Sequence, residues 1–166
     1  MQLNLTKSIA AKPFIKWVGG KSQLIEQIEN FFPPELENGQ LKYYFEPFLG
    51  EGAMYFAISE KYKIKYAFLS DFNRDLILVH NVIQQKPEYL LDFLKQFQDE
   101  YDSTHQEKRK ELFLSVREHY NKQRFEINYE KYSDKWILRA AQFIFLNKTC
   151  FNGLFRLNSK GEFNST

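Results

Sequence analysis

The sequence predicts an α/β fold whose first half opens like a nucleotide-binding domain and whose second half is mostly helical, closing on a β-hairpin. Three observations carry this reading. Two apolar runs, Tyr43–Phe48 and Tyr66–Ser70, have strand length and strand composition, and each leads into a helical pattern. A glycine turn, Gly50-Glu51-Gly52, stands between the first run and its helix. Beyond Pro87 the texture changes to three long helical stretches.

In chain order, residues 1–12 read as a loose leader. A helix is predicted from Ser22, with Leu24, Ile25, Ile28, Phe31 and Phe32 on one face, stopped by Pro33-Pro34. Tyr43–Phe48 reads as a buried strand, ended by the turn at Gly50 and Gly52. A helix follows from Ala53 to Lys61, then a second apolar strand closing on Asp71, then a helix from Arg74 to about residue 84. Strand, glycine turn, helix, strand, acid and helix together open a nucleotide-type α/β fold. Residues 88–102, 107–125 and 134–147 read as helices. The second sets Leu112, Phe113, Val116 and Tyr120 on one stripe, and the third is apolar nearly all round, as a buried helix is. The last segment flanks Asn158-Ser159-Lys160-Gly161 with two short arms, a hairpin pattern whose Gly161 takes the left-handed turn position.

Composition bounds the possibilities. A chain of 166 residues, 43% hydrophobic, suits one domain or part of a larger one. Its 17 Phe and 10 Tyr mostly fill a core, leaving one or two to stack on bases. No apolar run is long enough to span a membrane, and the first residues lack the apolar stretch of a signal peptide. A lone cysteine, Cys150, fits a reducing cytoplasm, and the three histidines offer no metal-ligand spacing, so no metal site is expected. Charge is unevenly spread: residues 1–105 carry 11 Lys/Arg against 14 Asp/Glu, residues 106–166 carry 12 against 7. The basic second part suits a polyanion, and equally a solvated helix surface.

Three segments can carry chemistry. Lys16-Trp17-Val18-Gly19-Gly20-Lys21-Ser22 resembles a phosphate-binding P-loop only at its end, because Ile15 stands where that loop needs its first glycine. What remains is a flexible turn with cations at a helix start, able to meet a carboxylate or phosphate or simply to cap the helix. Phe48-Leu49-Gly50-Glu51-Gly52 lets a ligand approach the backbone closely. Asp71, 19 residues after Gly52, stands where an acid accepts hydrogen bonds from ribose hydroxyls. That pair points to an adenosine-containing cofactor without separating a nicotinamide from S-adenosylmethionine. In Asn147 to Arg156, Lys148 can meet phosphate, Arg156 can fork onto a guanine edge and Phe151 can enter a base stack. Both phenylalanines there, Phe151 and Phe155, can instead tuck inward.

Taken together, four stretches resemble the Dam-type, class α family of DNA adenine-N6 methyltransferases. They are Pro13–Lys21, Phe45–Gly52, Leu69–Asn73 and Phe145–Asn164, in the family's order, with the Asn-Gly-Leu-x-Arg and Lys-Gly-Glu-Phe-Asn of the last the most specific. The resemblance implies a partial Rossmann-like methyltransferase fold with a mostly helical target-recognition segment, divided into a cofactor part at 1–86 and a DNA-binding part at 87–166. It implies S-adenosyl-L-methionine as cofactor: Trp17, Lys21 and Phe48 line its pocket, Gly50 and Gly52 form the floor, and Asp71 holds the ribose. It also implies double-stranded DNA as partner, contacted by Lys16, Lys148, Phe151, Asn152, Leu154 and Arg156. Arg156 would read a guanine of GATC, and Phe151 would stack beside the gap left by a flipped adenine. Family members often carry Arg where Lys148 stands and Tyr where Phe151 stands; stacking survives the second change, a bidentate contact does not survive the first.

Adenine N6 is a weak nucleophile, and the family activates it with an Asp-Pro-Pro-Tyr motif after the hairpin. The five prolines here (Pro13, Pro33, Pro34, Pro47, Pro87) form no such motif. The resemblance therefore implies a cytoplasmic enzyme, monomeric at full length, of which this chain is an N-terminal fragment without the catalytic motif. A noncatalytic DNA- or cofactor-binding remnant and a nucleotide-dependent enzyme of another family are the competing readings, and the failed P-loop and the hairpin motif count against the second.

Overall fold

A computed structural model describes residues 11–165. Among them lie seven α-helices and one two-stranded parallel sheet, a mixed α/β arrangement. The chain divides into two compact units: Gly19–Ser70 with the described residues before Ile15, and Ile15–Val18 with residues 71–165. Residues 71–86 thus group with the helices that follow rather than with the strands.

In the first unit, a short 3-10 turn at Ser22–Leu24 leads into α1 (Ile25–Glu29), and Pro34 opens α2 (Pro34–Glu37) with its fixed φ. The single helix expected from Ser22 to Phe32 is thus broken. No residue of the turn or of α1 is fully buried, and Phe31 is 85% exposed, so the expected apolar face is not a core face. β1 (Tyr43–Glu46) and β2 (Tyr66–Leu69) pair in parallel through α3 (Ala53–Lys61), with Tyr43 opposite Tyr66 and Phe45 opposite Phe68. Bonds from Ser70 N to Glu46 O and from Leu49 N to Ser70 O, both 2.9 Å, extend the ladder. α3 packs on α1, tied by Lys61 Nζ to Glu29 Oε1 at 2.5 Å.

The strands read as buried runs, yet with only the first two strands of the sheet that the resemblance implies, their faces are expected to lack neighbours, and one face does. Residues alternate across a strand, and the face bearing Tyr43, Phe45, Tyr66 and Phe68 lies open, with Phe45 67% exposed. The reason is the width of the sheet: two strands with no layer over that face among the described residues. The rings pair across the strands instead, Phe45 on Phe68 at 4.8 Å and nearly parallel, Tyr43 on Tyr66 at 5.2 Å.

In the second unit, Asn73 caps α4 (Arg74–Gln85) by accepting from Leu76 N at 3.1 Å, and Leu76, Val79 and Val82 form its buried stripe. Pro87 begins α5 (Pro87–Ser103), followed by α6 (Gln106–Gln123) and α7 (Lys135–Thr149). α7 packs against α4, α5 and α6 at once, which is why its sequence is apolar on nearly every side. On α6 the buried stripe is Phe113, Val116, Tyr120 and Gln123, with Leu112 half-buried at its edge.

Four charged or polar residues in and around this core, Asp75, Tyr120, Tyr129 and Arg139, partner one another. Arg139 forks onto Asp75, Nε to Oδ1 at 2.5 Å and Nη2 to Oδ2 at 2.8 Å, and its Nη1 donates to Tyr120 O at 2.9 Å. The hydroxyls of Tyr120 and Tyr129 donate to the same carboxylate at 2.7 and 2.9 Å. Burial, the Asp75 charge and these bonds push the Tyr129 phenol up to about 12 and that of Tyr120 well above its ordinary value.

The hairpin is reduced to one antiparallel bridge between Leu157 and Phe163. Its turn is built by Asn158, whose Oδ1 accepts from Lys160 N and Glu162 N at 2.9 Å, adding side-chain bonds to the backbone bonds Asn158 N to Glu162 O at 2.9 Å and Asn164 N to Arg156 O at 3.0 Å. Gly161 has φ 72°, the left-handed value expected of it. Phe163 is buried against Phe113, Tyr120 and Phe155, and both of its backbone polar groups bond the Asn121 side chain, which moors the loop to α6.

Candidate functional site

The first unit presents the glycine turn after β1. Gly50 and Gly52 have φ of 56° and 79°, a conformation L side chains strain to adopt, and Gly52 caps α3 in the left-handed region. The sharp reversal leaves Phe48 75% exposed while Leu49 is fully buried. Lys21 Nζ donates to Glu46 Oε1 at 2.6 Å and to Phe48 O at 2.5 Å. Lys21, Phe48 and the glycine turn, predicted as neighbours in a pocket, are therefore brought together, with one donor of the ammonium left over.

Glu46 is the residue the sequence reading missed here. It is buried at the end of β1, where its carboxylate also accepts from the Tyr44 hydroxyl at 2.9 Å. Burial first, then the bond to Glu46, raises the Tyr44 phenol. A lone acid inside an apolar strand was the available signal. Glu51, likewise buried, accepts from Ser22 Oγ at 2.6 Å, and Gly20 packs close to its carboxylate, 2.5 Å from where a Cβ would stand.

The second unit carries the remaining candidates. Asp71 is half-buried, and its Oδ1 accepts from Asn73 N at 2.9 Å, an Asx turn that fixes the carboxylate just ahead of α4. Trp17 stacks on Phe155 at 5.6 Å and on Phe143 at 6.2 Å, joining the segment before Val18 to α7 and the loop beyond it.

All six residues expected to touch DNA are exposed: Lys16, Lys148, Phe151, Asn152, Leu154 and Arg156. Phe151 is 70% exposed, so it does not tuck inward; Phe155 does, between Trp17, Phe143 and Phe163. Asn152 holds φ 56°, which asparagine tolerates better than most residues and which turns the loop sharply. Phe151, Leu154 and Arg156 line one shallow concavity of about 130 Å³. Arg156 Nε donates to Asn164 Oδ1 at 3.1 Å, which orients the guanidinium and leaves its two terminal nitrogens without an acceptor among the described residues. Lys148 stands apart from that concavity, on the last turn of α7.

Asn147 was not among the predicted contacts, yet it assembles this surface. Its Oδ1 accepts from Lys16 N at 3.0 Å, and its Nδ2 donates to Lys16 O and Gly153 O, both at 2.9 Å. Gly153 packs so closely on Lys16 that a Cβ there would lie 2.8 Å from the lysine Cβ. Cys150 is buried under the loop, and burial pushes its thiol up. Among the described residues no His, Cys, Asp and Glu group is arranged to hold a metal, and no helix is long and apolar enough to cross a membrane.

The helical unit presents an exposed cationic and aromatic loop, and the first unit, taken by itself, a strand, glycine turn and helix. Comparison with known proteins gives the family: a model for D12 class N6 adenine-specific DNA methyltransferases matches residues 17–166, and the chain belongs to that family. The chain is 46% identical over 153 residues to the Type II methyltransferase M.MjaIII of Methanocaldococcus jannaschii, covering 92% of this chain and 50% of that protein. It is 34% identical over 164 residues to the Type II methyltransferase M1.LlaDCHI of Lactococcus lactis subsp. cremoris, covering 99% and 50%. With the DNA adenine methylase of Vibrio cholerae it shares 32% over 155 residues, 92% and 46% of the two chains. The chain thus spans about half the length of these curated relatives. The family implies a methyl donor and DNA as substrate.

Proposed function

We propose that the chain is the cofactor-binding and DNA-reading part of a site-specific DNA adenine-N6 methyltransferase acting at GATC, using S-adenosyl-L-methionine and a flipped adenine. The observation that carries the DNA reading is the loop after α7, where Phe151, Leu154 and Arg156 stand exposed on a backbone that Asn147 ties to Lys16. Arg156 offers two free terminal nitrogens in a plane, the geometry that bridges guanine O6 and N7. Lys148, a point charge, suits phosphate, and Asn152 and Lys16 add polar contacts beside it. The exposed ring of Phe151 suits the stack beside an extruded base.

For the cofactor, Lys21, Phe48, Gly50 and Gly52 in the first unit offer an ammonium, an apolar wall and an approachable backbone. In the second unit Trp17 offers an aromatic edge and Asp71 a fixed carboxylate for ribose hydroxyls. The functional division proposed is 1–86 for the cofactor and 87–166 for DNA. Methyl transfer needs a group that accepts from the adenine amino hydrogens while N6 attacks the sulfonium methyl. No Asp-Pro-Pro-Tyr supplies it within these 166 residues, so the chain on its own transfers no methyl group. A noncatalytic DNA- or cofactor-binding remnant shares every observation except that transfer.

Binding of the chain to GATC-containing and altered duplexes, at several salt concentrations, tests the DNA reading. Arg156→Ala shrinks the gap between the two sites by about 1–3 kcal/mol, the worth of a bidentate base contact. Lys148→Ala weakens both alike and lowers the salt slope by about one unit. If the two variants behave identically, Arg156 is only part of a charged patch. Detection of N6-methyladenine after incubation with the pure chain would overturn its assignment as noncatalytic.

A further inference from the structure

A second cleft lies in the helical unit, outside every residue assigned above. It encloses about 470 Å³ where the end of α5, the first half of α6 and the last residue of α7 meet. Tyr101, Phe113 and Leu114 give it apolar walls; Gln106, Arg109, Lys110 and Thr149 give it polar ones, and among the described residues no carboxylate lines it.

Arg109 is held in place there. Its Nε donates to Tyr101 O at 2.8 Å and Thr104 O at 3.1 Å, and its guanidinium lies 4.6 Å over the Tyr101 ring. Both terminal nitrogens are left without an acceptor among the described residues. Lys110, next in the chain, is exposed and has no ion-pair partner there. α6 begins at Gln106 without a side-chain cap, but Glu107 in its first turn offsets the helix's partial positive charge, so Arg109 and Lys110 themselves carry the attraction for an anion. A planar guanidinium fixed by its Nε and stacked on a ring is pre-organised for two phosphate oxygens.

We propose that this cleft binds a nucleotide phosphate, with Arg109 and Lys110 on its oxygens and the apolar wall of Phe113 and Leu114 against the sugar or base. The phosphate has two possible sources, the backbone of the bound duplex or a free nucleotide. Thr149 lines the cleft at the end of α7, where Cys150 and the exposed Phe151 begin the DNA loop, so a backbone running past that loop reaches it. The duplex source rests on the DNA reading above; the free-nucleotide source does not.

Anisotropy of the 166-residue chain on a labelled GATC duplex across a salt series, and calorimetry with dAMP, separate the sources. Lys110→Ala removes a side chain with no structural bond, and Arg109→Gln removes the guanidinium. If the duplex is the source, each variant loses about tenfold in affinity at low salt, as for one charge-assisted contact. The loss is equal on altered sites, and the salt slope falls by about one unit. If the source is free, the chain binds dAMP and both variants lose that binding while duplex affinity stays. An effect of Arg109→Gln alone, with Lys110→Ala silent in both assays, means that Arg109 only joins α5 to α6 and overturns the proposal. So does a pair of silent variants. Failure of the DNA reading itself shows separately, as unchanged binding in Arg156→Ala and Lys148→Ala on the same duplexes.

Discussion

Asn147 and Lys16, 131 residues apart, share two hydrogen bonds: the amide of one brackets the backbone N–H and C=O of the other. The contact has strand-like pairing supplied by a single side chain, and the third bond of Asn147, to Gly153 O, puts the DNA loop on the same support. Asn147→Ala leaves three backbone groups without that partner. The expected loss is about 1–3 kcal/mol, the cost of stranding buried polar groups. Urea denaturation measures it, and a midpoint unchanged from wild type shows that water replaces the amide.

Gly153→Ala tests the same support from the other side. Its φ of 68° and the lysine side chain 2.8 Å from where a Cβ would stand both oppose the substitution. Left-handed backbone alone costs an L residue about 1–2 kcal/mol. The variant loses stability and duplex affinity without altering any side chain proposed to contact DNA. Wild-type affinity in this variant would separate the loop's geometry from its binding.

Asp75 and Arg139 form a buried fork in which each is the other's main partner. Removing one charge leaves the other uncompensated, so Arg139→Met lowers stability by about 3–5 kcal/mol. The double substitution Asp75→Leu with Arg139→Met recovers much of that loss, because no charge then stays buried unpaired. A double variant as unstable as the single one would mean that the tyrosine hydroxyls, rather than the pair, set the cost.

Alkaline pH reads the two phenols around this fork. Both are raised in the folded chain, Tyr129 from 10.0 to about 12, by burial first and then by the Asp75 charge. The folded state therefore holds protons that the unfolded chain has released. The resulting stability is complete below pH about 10 and is lost as pH rises toward 12. Chemical denaturation at pH 9, 10 and 11, compared with Tyr129→Phe, shows a smaller fall in the variant; equal slopes would remove Tyr129 from the account.

Local patterns made much of this architecture legible. Periodicity placed α3 and α4 through α7 to within two residues, because α3, α4 and α6 bury a stripe, α5 turns Leu90 and a half-buried edge inward, and α7 is buried on nearly every side. Gly50, Gly52 and Gly161 were readable because their positions demand positive φ. Asn147 and the Asp75–Arg139 fork were not, since their partners lie far along the chain and a charge at helical spacing reads as solvated surface. The strands are a different case: their composition suits burial, while the two strands present leave their faces without neighbours. An apolar run reports that a segment is suited to burial, and Phe45 and Phe68 show that suitability does not supply the covering layer.

The paired rings of β1 and β2 have a consequence for the chain's lifetime. An open ladder of Tyr43, Phe45, Tyr66 and Phe68 is a contiguous apolar patch of the kind that favours association. Lys42, Lys63 and Lys65, all exposed near the ladder's N-terminal end, set like charge there that opposes edge-to-edge pairing. Persistence at high concentration is then a race between that repulsion and the pull of four aromatic rings, a rate that a melting temperature does not report.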